Sequence, residues 1–147
     1  MNETENRKRH LIAAYGAYFE NLSPETVNEL SGMVTDDFKF SDPFTTRKGP
    51  DDVCAYLGKT FTDTENPNFV VTHEALDGDI GFLRWQFSAK IPVIGHWEFC
   101  GMTELTFNQD GSLLASHVDY WDSGQHFYGK LPILGWIIKR LARRVAG

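Results

Sequence analysis

Several features that mark common functional classes are missing from this 147-residue sequence. It has no uninterrupted apolar run of about 18 residues, the length from which a membrane-spanning helix is inferred. It also lacks a phosphate-binding loop, a dinucleotide-binding glycine fingerprint and a Gly-x-Ser-x-Gly motif. We therefore expect neither a membrane-spanning protein nor an enzyme built on one of these motifs.

Cysteine is scarce, and the histidines lack the spacing of metal ligands. Only Cys54 and Cys100 occur, and the polar N-terminus does not resemble a signal peptide. We expect a cytoplasmic protein with free, buried thiols, a disulfide between the two being the alternative. Apart from His117 with Asp119, no histidine has a metal-ligating partner at short spacing. We expect no metal and no organic cofactor.

Acidic residues are absent from the end of the chain. Residues 130–147 contain five basic side chains and no acid, whereas residues 1–129 carry a net charge of −11. We expect residues 1–129, with this negative charge, to have no basic face that could neutralise phosphates. This argues against nucleic acid as a partner.

What the sequence does contain is a succession of three helical segments and then four long strand-like ones. Apolar spacing predicts helices over 7–22, from Ser23-Pro24 onwards, and from Gly49-Pro50 onwards. Strand patterns cover 69–76, 80–90, 97–107 and 113–121, with short turns between them. This order predicts one α+β domain over 1–147, with N-terminal helices packed on a curved antiparallel sheet and an extra C-terminal helix after Pro132.

A short strand near the middle places a carboxylate on an apolar face. In Phe38-Lys39-Phe40-Ser41-Asp42-Pro43-Phe44, the side chains of Phe38, Phe40 and Asp42 alternate with polar ones, and Pro43 ends the strand. Burial beside apolar groups makes a carboxylate a candidate for proton transfer. The alternative is an Asx turn in which Asp42 accepts hydrogen bonds from the backbone of Phe44 or Thr45.

These residues and the order of elements resemble the nuclear transport factor 2-like superfamily, a cone-shaped fold that includes ketosteroid isomerases, SnoaL-like polyketide cyclases and limonene epoxide hydrolases. Tyr18, Asp36-Asp37 and Asp42-Pro43-Phe44 are similar to the first third of ketosteroid isomerases. The resemblance implies that Asp42 is the general base and that Tyr18 donates a hydrogen bond to the substrate oxyanion. It also implies a homodimer. The isomerases' second oxyanion donor, an aspartate, corresponds to Thr103, a departure from their set.

A second local resemblance lies in the last strand. His117-Val118-Asp119 is similar to the His-x-Asp of SnoaL-like cyclases, which implies that Asp119 acts as acid or base beside His117. Strand alternation puts His117, Asp119 and Trp121 on one face. The alternative for His117 and Asp119 is a solvent-facing pair at a sheet edge. The alternative for Tyr18 is a core tyrosine.

Together these features predict a pocket for a small apolar molecule. Aromatic residues make up 14% of the chain, enough to line a cavity as well as a core. The first hypothesis is an isomerase or cyclase that acts on an apolar carbonyl compound without a cofactor; the alternatives are a non-catalytic binding module and a scaffold domain with a filled pocket. The expected substrate contacts are Tyr15, Phe40, Phe44, Trp85, Thr103 and Trp121.

The C-terminal helix permits two interpretations. Residues 131–144 combine apolar and basic side chains at helical spacing, as in helices that lie weakly on a membrane surface. The alternative, which the sequence favours, is a helix packed over the mouth of the pocket or against a second subunit.

Overall fold

A computed structural model describes residues 2–147 and begins with helix α1, Glu3–Glu20. The side chain of Asn2 caps this helix by accepting a hydrogen bond from the backbone N–H of Glu5, at 2.7 Å. Helix α1 packs on the sheet and buries Ile12, Tyr15 and Phe19 against it. It confirms the first predicted helix, with a start four residues earlier.

The second predicted helix is wrong in type and length. Instead of an α-helix from Ser23-Pro24, a turn is followed by a six-residue 3-10 helix, Val27–Gly32. The Ser23 and Thr26 side chains bond each other and the local backbone, which supports a turn in place of a helical N-terminus. Val27 and Leu30 are nevertheless buried.

A strand pair and a helix follow. Strand β1 spans Val34–Ser41 and pairs with the short strand β2, Thr46–Lys48, which sequence analysis missed. Helix α2 spans Pro50–Asp63 and begins at the expected proline. Asp42 lies directly after β1, in the turn to β2.

Four long strands form the rest of the sheet: β3 (Glu65–Asp77), β4 (Ile80–Ile91), β5 (Gly95–Phe107) and β6 (Leu114–Tyr120). They are the predicted antiparallel meander, and the full order is β2-β1-β6-β5-β4-β3. Strand β1 joins β6 in parallel, which places the N-terminal strand beside the last one. The α+β prediction is confirmed.

The chain ends in three short helical elements. Helix α3 (Ser123–His126) and a 3-10 turn (Tyr128–Lys130) precede helix α4 (Pro132–Ala146). None of the described helices is both long and apolar enough to cross a membrane. The two cysteines are free thiols, and only Cys54 is buried; the expectation that Cys100 is buried is wrong, because it lies on the outer face of β5.

Candidate active site

A cavity of about 530 Å³ opens on the inner face of the sheet, between the strands and helix α2. Its walls are mainly aromatic, and its polar groups come from the turn after β1 and from α2, β5 and β6. The rings that line it are those of Phe19, Phe40, Phe44, Tyr56, Phe69, Trp85, Phe87, Trp97, Phe99, Trp121 and Phe127.

Strand register brings the polar residues together. On β6, His117 and Asp119 are two apart and share the inner face. His117 lies between Phe40 of β1 and Leu105 of β5, and Asp119 is directly opposite Thr103 of β5. Neighbours opposite each other on one face are about 4.5–5.5 Å apart at Cβ, so their polar atoms can meet.

These side chains form a continuous hydrogen-bond chain. The hydroxyl of Tyr15 lies 2.7 Å from Nδ1 of His117, whose Nε2 lies 2.7 Å from Oδ1 of Asp119. Thr103 donates to the same Oδ1 at 2.6 Å, and the indole N–H of Trp85 donates to the Thr103 hydroxyl at 2.8 Å. This series of hydrogen bonds runs from the core beneath the cavity to a carboxylate in the cavity wall.

Both ring nitrogens of His117 have hydrogen-bond partners. Complete burial and the charge of Asp119 raise the pKa of Tyr15 well above its usual range, so the phenol keeps its proton. His117 thus bonds a neutral phenol through Nδ1 and the carboxyl group of Asp119 through Nε2, and it holds Asp119 in one orientation. The alternative of a solvent-facing pair is not what the structure shows, since His117 is 2% exposed.

Asp42 also lines the cavity, and both of its oxygens have partners. Oδ1 accepts hydrogen bonds from the backbone N–H groups of Phe44 and Thr45, at 2.8 and 3.0 Å, the Asx turn considered as an alternative. Oδ2 accepts one from the hydroxyl of Tyr56 at 2.5 Å. Burial and this bond raise the pKa of Tyr56 well above its usual range, so the pair consists of a carboxylate and a neutral phenol.

Tyr18 does not reach the cavity. Its hydroxyl donates to the backbone carbonyl of Val27 at 2.7 Å, and burial raises its pKa. This bond ties helix α1 to the 3-10 helix, the role of a core tyrosine. The expected placement of Tyr18 beside a substrate oxygen is corrected by this geometry, and Tyr15, one helical turn earlier, is the tyrosine that joins the polar chain.

The predicted substrate contacts are mostly in the wall. Phe40, Phe44, Trp85, Thr103 and Trp121 line the cavity, with the rings of Phe44 and Trp121 5.4 Å apart. Tyr15 does not, because it is fully buried behind His117.

Seven of the rings that line the cavity were not predicted as contacts: Phe19, Tyr56, Phe69, Phe87, Trp97, Phe99 and Phe127. Tyr56 follows Val53 and precedes Leu57 at the spacing of an apolar helix face, so nothing local distinguishes it from a core residue. Phe99 stacks on Trp121 with ring centroids 4.1 Å apart, and Phe127 approaches Phe44 at 5.1 Å. Alternation along β5 could have indicated Phe99, which shares a face with Thr103.

A glycine makes room for one wall of the cavity. Gly101 is opposite Trp85 in the β4–β5 pair, and the indole lies across it. A Cβ at Gly101 would fall 2.5 Å from Cζ2 of Trp85 and 3.1 Å from Cβ of Trp121. The missing side chain lets Trp85 reach Thr103.

Comparison with known proteins places this geometry in a family. The model of the SnoaL-like domain matches residues 15–117, most of the chain and nearly all of the site. The chain belongs to the SnoaL-like family. The match contains Tyr15, Asp42, Tyr56, Thr103 and His117, and it ends two residues before Asp119.

Solved structures share the fold at low sequence identity. A protein of ketosteroid isomerase-like fold from Catenulispora acidiphila has a TM-score of 0.64 at 17% identity, over 83% of this chain and 93% of that one. The pinacolase BvnE from Penicillium brevicompactum has a TM-score of 0.65 at 16% identity, covering 100% and 97%. An LEH-like epoxide hydrolase from M. tuberculosis has a TM-score of 0.64 at 12% identity, covering 93% of each chain.

No curated protein matches the sequence significantly. The neighbours' names cover different reactions, so the shared fold does not by itself select one. The nuclear transport factor 2-like fold is confirmed, and the reaction has to be inferred from the site.

Proposed function

We propose that this SnoaL-like protein is an enzyme of the isomerase or cyclase type that moves a proton on a small apolar molecule, with Asp119 as the proton-transferring group. Support comes from the aromatic cavity, which has the size and character of a small-molecule site. An open cavity also disfavours the scaffold alternative with a filled pocket.

The observation that carries the proposal is the way the Asp119 carboxylate is held. Among residues 2–147, its hydrogen bonds all fall on Oδ1, from His117 and Thr103, and Oδ2 has none. Asp119 lines the cavity, with its side chain 17% exposed. One oxygen is thus anchored and the other is available to a ligand, as general acid–base catalysis requires.

His117 and Tyr15 are positioning residues in this proposal. They lie behind Asp119, and the hydrogen bonds between Tyr15 and His117 and between His117 and Asp119 fix its carboxylate. The carboxylate therefore does not have to reorient when a proton moves. Asp42 has no unbonded oxygen, so the geometry supports Asp119 over Asp42 as the base. Asp42 instead orients the hydroxyl of Tyr56, which presents its lone pairs to a polar group of the ligand.

The distribution of donors constrains the chemistry. The hydroxyls of Thr103 and Tyr56 already donate to the two carboxylates, and the Trp85 indole donates to Thr103. A ligand oxygen that gains negative charge would need one of these groups to turn towards it. Proton removal by Asp119 from a C–H group beside a ligand carbonyl creates such an oxygen, so the hydroxyl of Tyr56 or Thr103, both in the cavity wall, is the donor that would turn towards it during the step.

Exchange of ligand protons in D₂O tests the proposal without knowledge of the natural substrate. A panel of bicyclic and tricyclic ketones and hydroxyketones is incubated with the protein, and deuterium incorporation at carbon is followed by NMR. The removal of a general base lowers such rates about 10²–10⁴-fold, so Asp119→Asn should abolish exchange on any ligand that the wild type processes. Quenching of tryptophan fluorescence shows in parallel whether the variant still binds.

Asp42→Asn is the matched variant, since it makes the same chemical change in the same cavity. We expect it to weaken binding more than exchange at saturation. If Asp119→Asn exchanges deuterium at the wild-type rate and Asp42→Asn does not exchange it, the assignment is contradicted and Asp42 is restored as the base. Binding of panel members without exchange by the wild type would favour the alternative of a non-catalytic binding module, which the predominance of aromatic walls also suits.

A further inference from the structure

Helix α4 leaves its apolar side uncovered. Ile133, Ile137, Leu141 and Val145 follow one another at steps of four and therefore form one stripe. All four are exposed, Ile133 by 78% and Val145 by 90%. Apolar side chains of this size are stabilised by burial, so an unburied stripe of this length indicates a surface that binds something.

The helix is attached to the domain along a different side. Gly135 packs against the 3-10 turn, where a Cβ at Gly135 would collide with the carbonyl oxygen of Gly129. Apart from Gly135, no residue of α4 is buried. No residue of α4 lines the cavity, so the expected packing over the pocket mouth is not found. The attachment leaves the stripe facing away from the fold.

The last turns of α4 are basic beside the stripe. They carry Lys139, Arg140, Arg143 and Arg144, and the helix contains no acidic residue. Within the described chain, none of these four forms a salt bridge with a carboxylate. The Arg140 guanidinium lies 5.5 Å above the ring of Trp136, a residue type that favours the boundary between lipid and water.

Charge distinguishes the candidate occupants of this surface. Symmetric packing of α4 on the α4 of a second copy would bring two helices of four positive charges together, with repulsion between them. A nucleic acid would neutralise the charges but leave the stripe in water. An anionic lipid surface complements both halves of the helix at once, with apolar side chains among the acyl chains and basic ones at the headgroups.

We propose that α4 lies in the surface of an anionic bilayer and attaches the domain to it reversibly. Each basic residue near such a surface strengthens binding about fivefold, so the four together contribute about 10²–10³-fold. Neutral lipid, which offers only the apolar half of the interaction, should hold the protein weakly.

Flotation of the full chain with vesicles tests this proposal. Vesicles of phosphatidylcholine with phosphatidylglycerol should carry the protein upwards, and pure phosphatidylcholine should carry far less. Neutralising Lys139, Arg140, Arg143 and Arg144 to Gln should lower binding about 10²–10³-fold. The charge-matched control changes four exposed basic residues elsewhere to Gln: Lys39, Lys48, Arg84 and Lys90. It should keep wild-type flotation.

A second variant, Ile137→Asn with Leu141→Asn, tests the stripe and should also lose binding while circular dichroism shows the same helix content. Equal flotation with both lipid compositions, or equal losses in the α4 and control charge variants, would overturn the proposal. A third result would also overturn it: the wild type binds no vesicles, forms a dimer in light scattering, and becomes a monomer when the stripe is changed. The occupant of the stripe would then be a second copy of the chain.

Discussion

Substitution of Gly101 by alanine should show how tightly the cavity wall is built. The new methyl group would sit 2.5 Å from Cζ2 of Trp85, which is far inside van der Waals contact. The indole cannot move freely, because its N–H is bonded to Thr103 and its ring packs against Phe69 and Phe99. Overpacking of a core costs about 1–3 kcal/mol. Loss of the Trp85–Thr103 bond adds about 1 kcal/mol.

We therefore expect Gly101→Ala to lower the free energy of unfolding by about 2–4 kcal/mol, measured by urea denaturation. The melting temperature should fall by roughly 2–4 °C for each kcal/mol in a chain of this length. Gly58→Ala is the matched control, since Gly58 lies inside helix α2 with no atom within 4 Å of a new Cβ. It should stabilise the protein by about 0.5–1 kcal/mol, because alanine favours a helix over glycine.

The contact with Trp85 can be isolated in a double-mutant cycle. Trp85→Phe removes the Cζ2 and Cη2 atoms that the new methyl would meet, so Gly101→Ala should cost less than about 1 kcal/mol in that background. An equal cost in both backgrounds, or a cost within about 0.5 kcal/mol of zero in the wild type, would refute the role assigned to this glycine.

The polar chain and the buried tyrosines lead to further predictions. Tyr15→Phe removes the hydroxyl that bonds Nδ1 of His117, so it should lower the free energy of unfolding in urea by about 1–3 kcal/mol and lower deuterium exchange as well. Tyr18→Phe should cost a similar amount but leave exchange at saturating ligand unchanged; lost exchange in a stable Tyr18→Phe protein would restore its predicted oxyanion role. Because burial raises the pKa values of Tyr15, Tyr18 and Tyr56, their contribution to stability should be constant up to about pH 10 and fall above it, as the unfolded chain loses protons that the folded one keeps. Urea midpoints across that range measure this slope, which Tyr56→Phe should reduce and the exposed Tyr120→Phe should not.

Local pattern was enough to predict which residues of the inner sheet share a face. Phe40 and Asp42, and likewise His117, Asp119 and Trp121, were grouped by alternation alone, because consecutive side chains of a strand point to opposite faces. The same reasoning failed at Ser23-Pro24, where side chains that cap a helix can equally bond within a turn. Strand β2 was missed because three exposed or half-exposed residues carry no apolar periodicity.

Partners across the sheet and between layers were beyond the reach of sequence spacing. Tyr15 and Tyr18 both lie on the buried side of α1, and only the docking of that helix decides which hydroxyl meets His117 and which meets Val27. Tyr56 finds Asp42 because α2 folds back over the turn after β1, a contact between residues fourteen apart in the chain.

The sequence by itself thus determined the α+β order, which residues share a face in the segments of β1 and β6, and the candidate carboxylates, since these follow from side-chain periods and turn residues within a few positions of each other. The tertiary structure decided which carboxylate keeps an oxygen without a hydrogen bond. Asp42 has both oxygens bonded, because α2 brings Tyr56 to a turn in which Asp42 already accepts from the backbone N–H groups of Phe44 and Thr45. Among the described residues, the partners of Asp119 all bond Oδ1, because β5 places Thr103 opposite Asp119 and His117 contacts the same oxygen. Hydrogen bonds of this kind depend on strand register and helix docking, which no local pattern encodes.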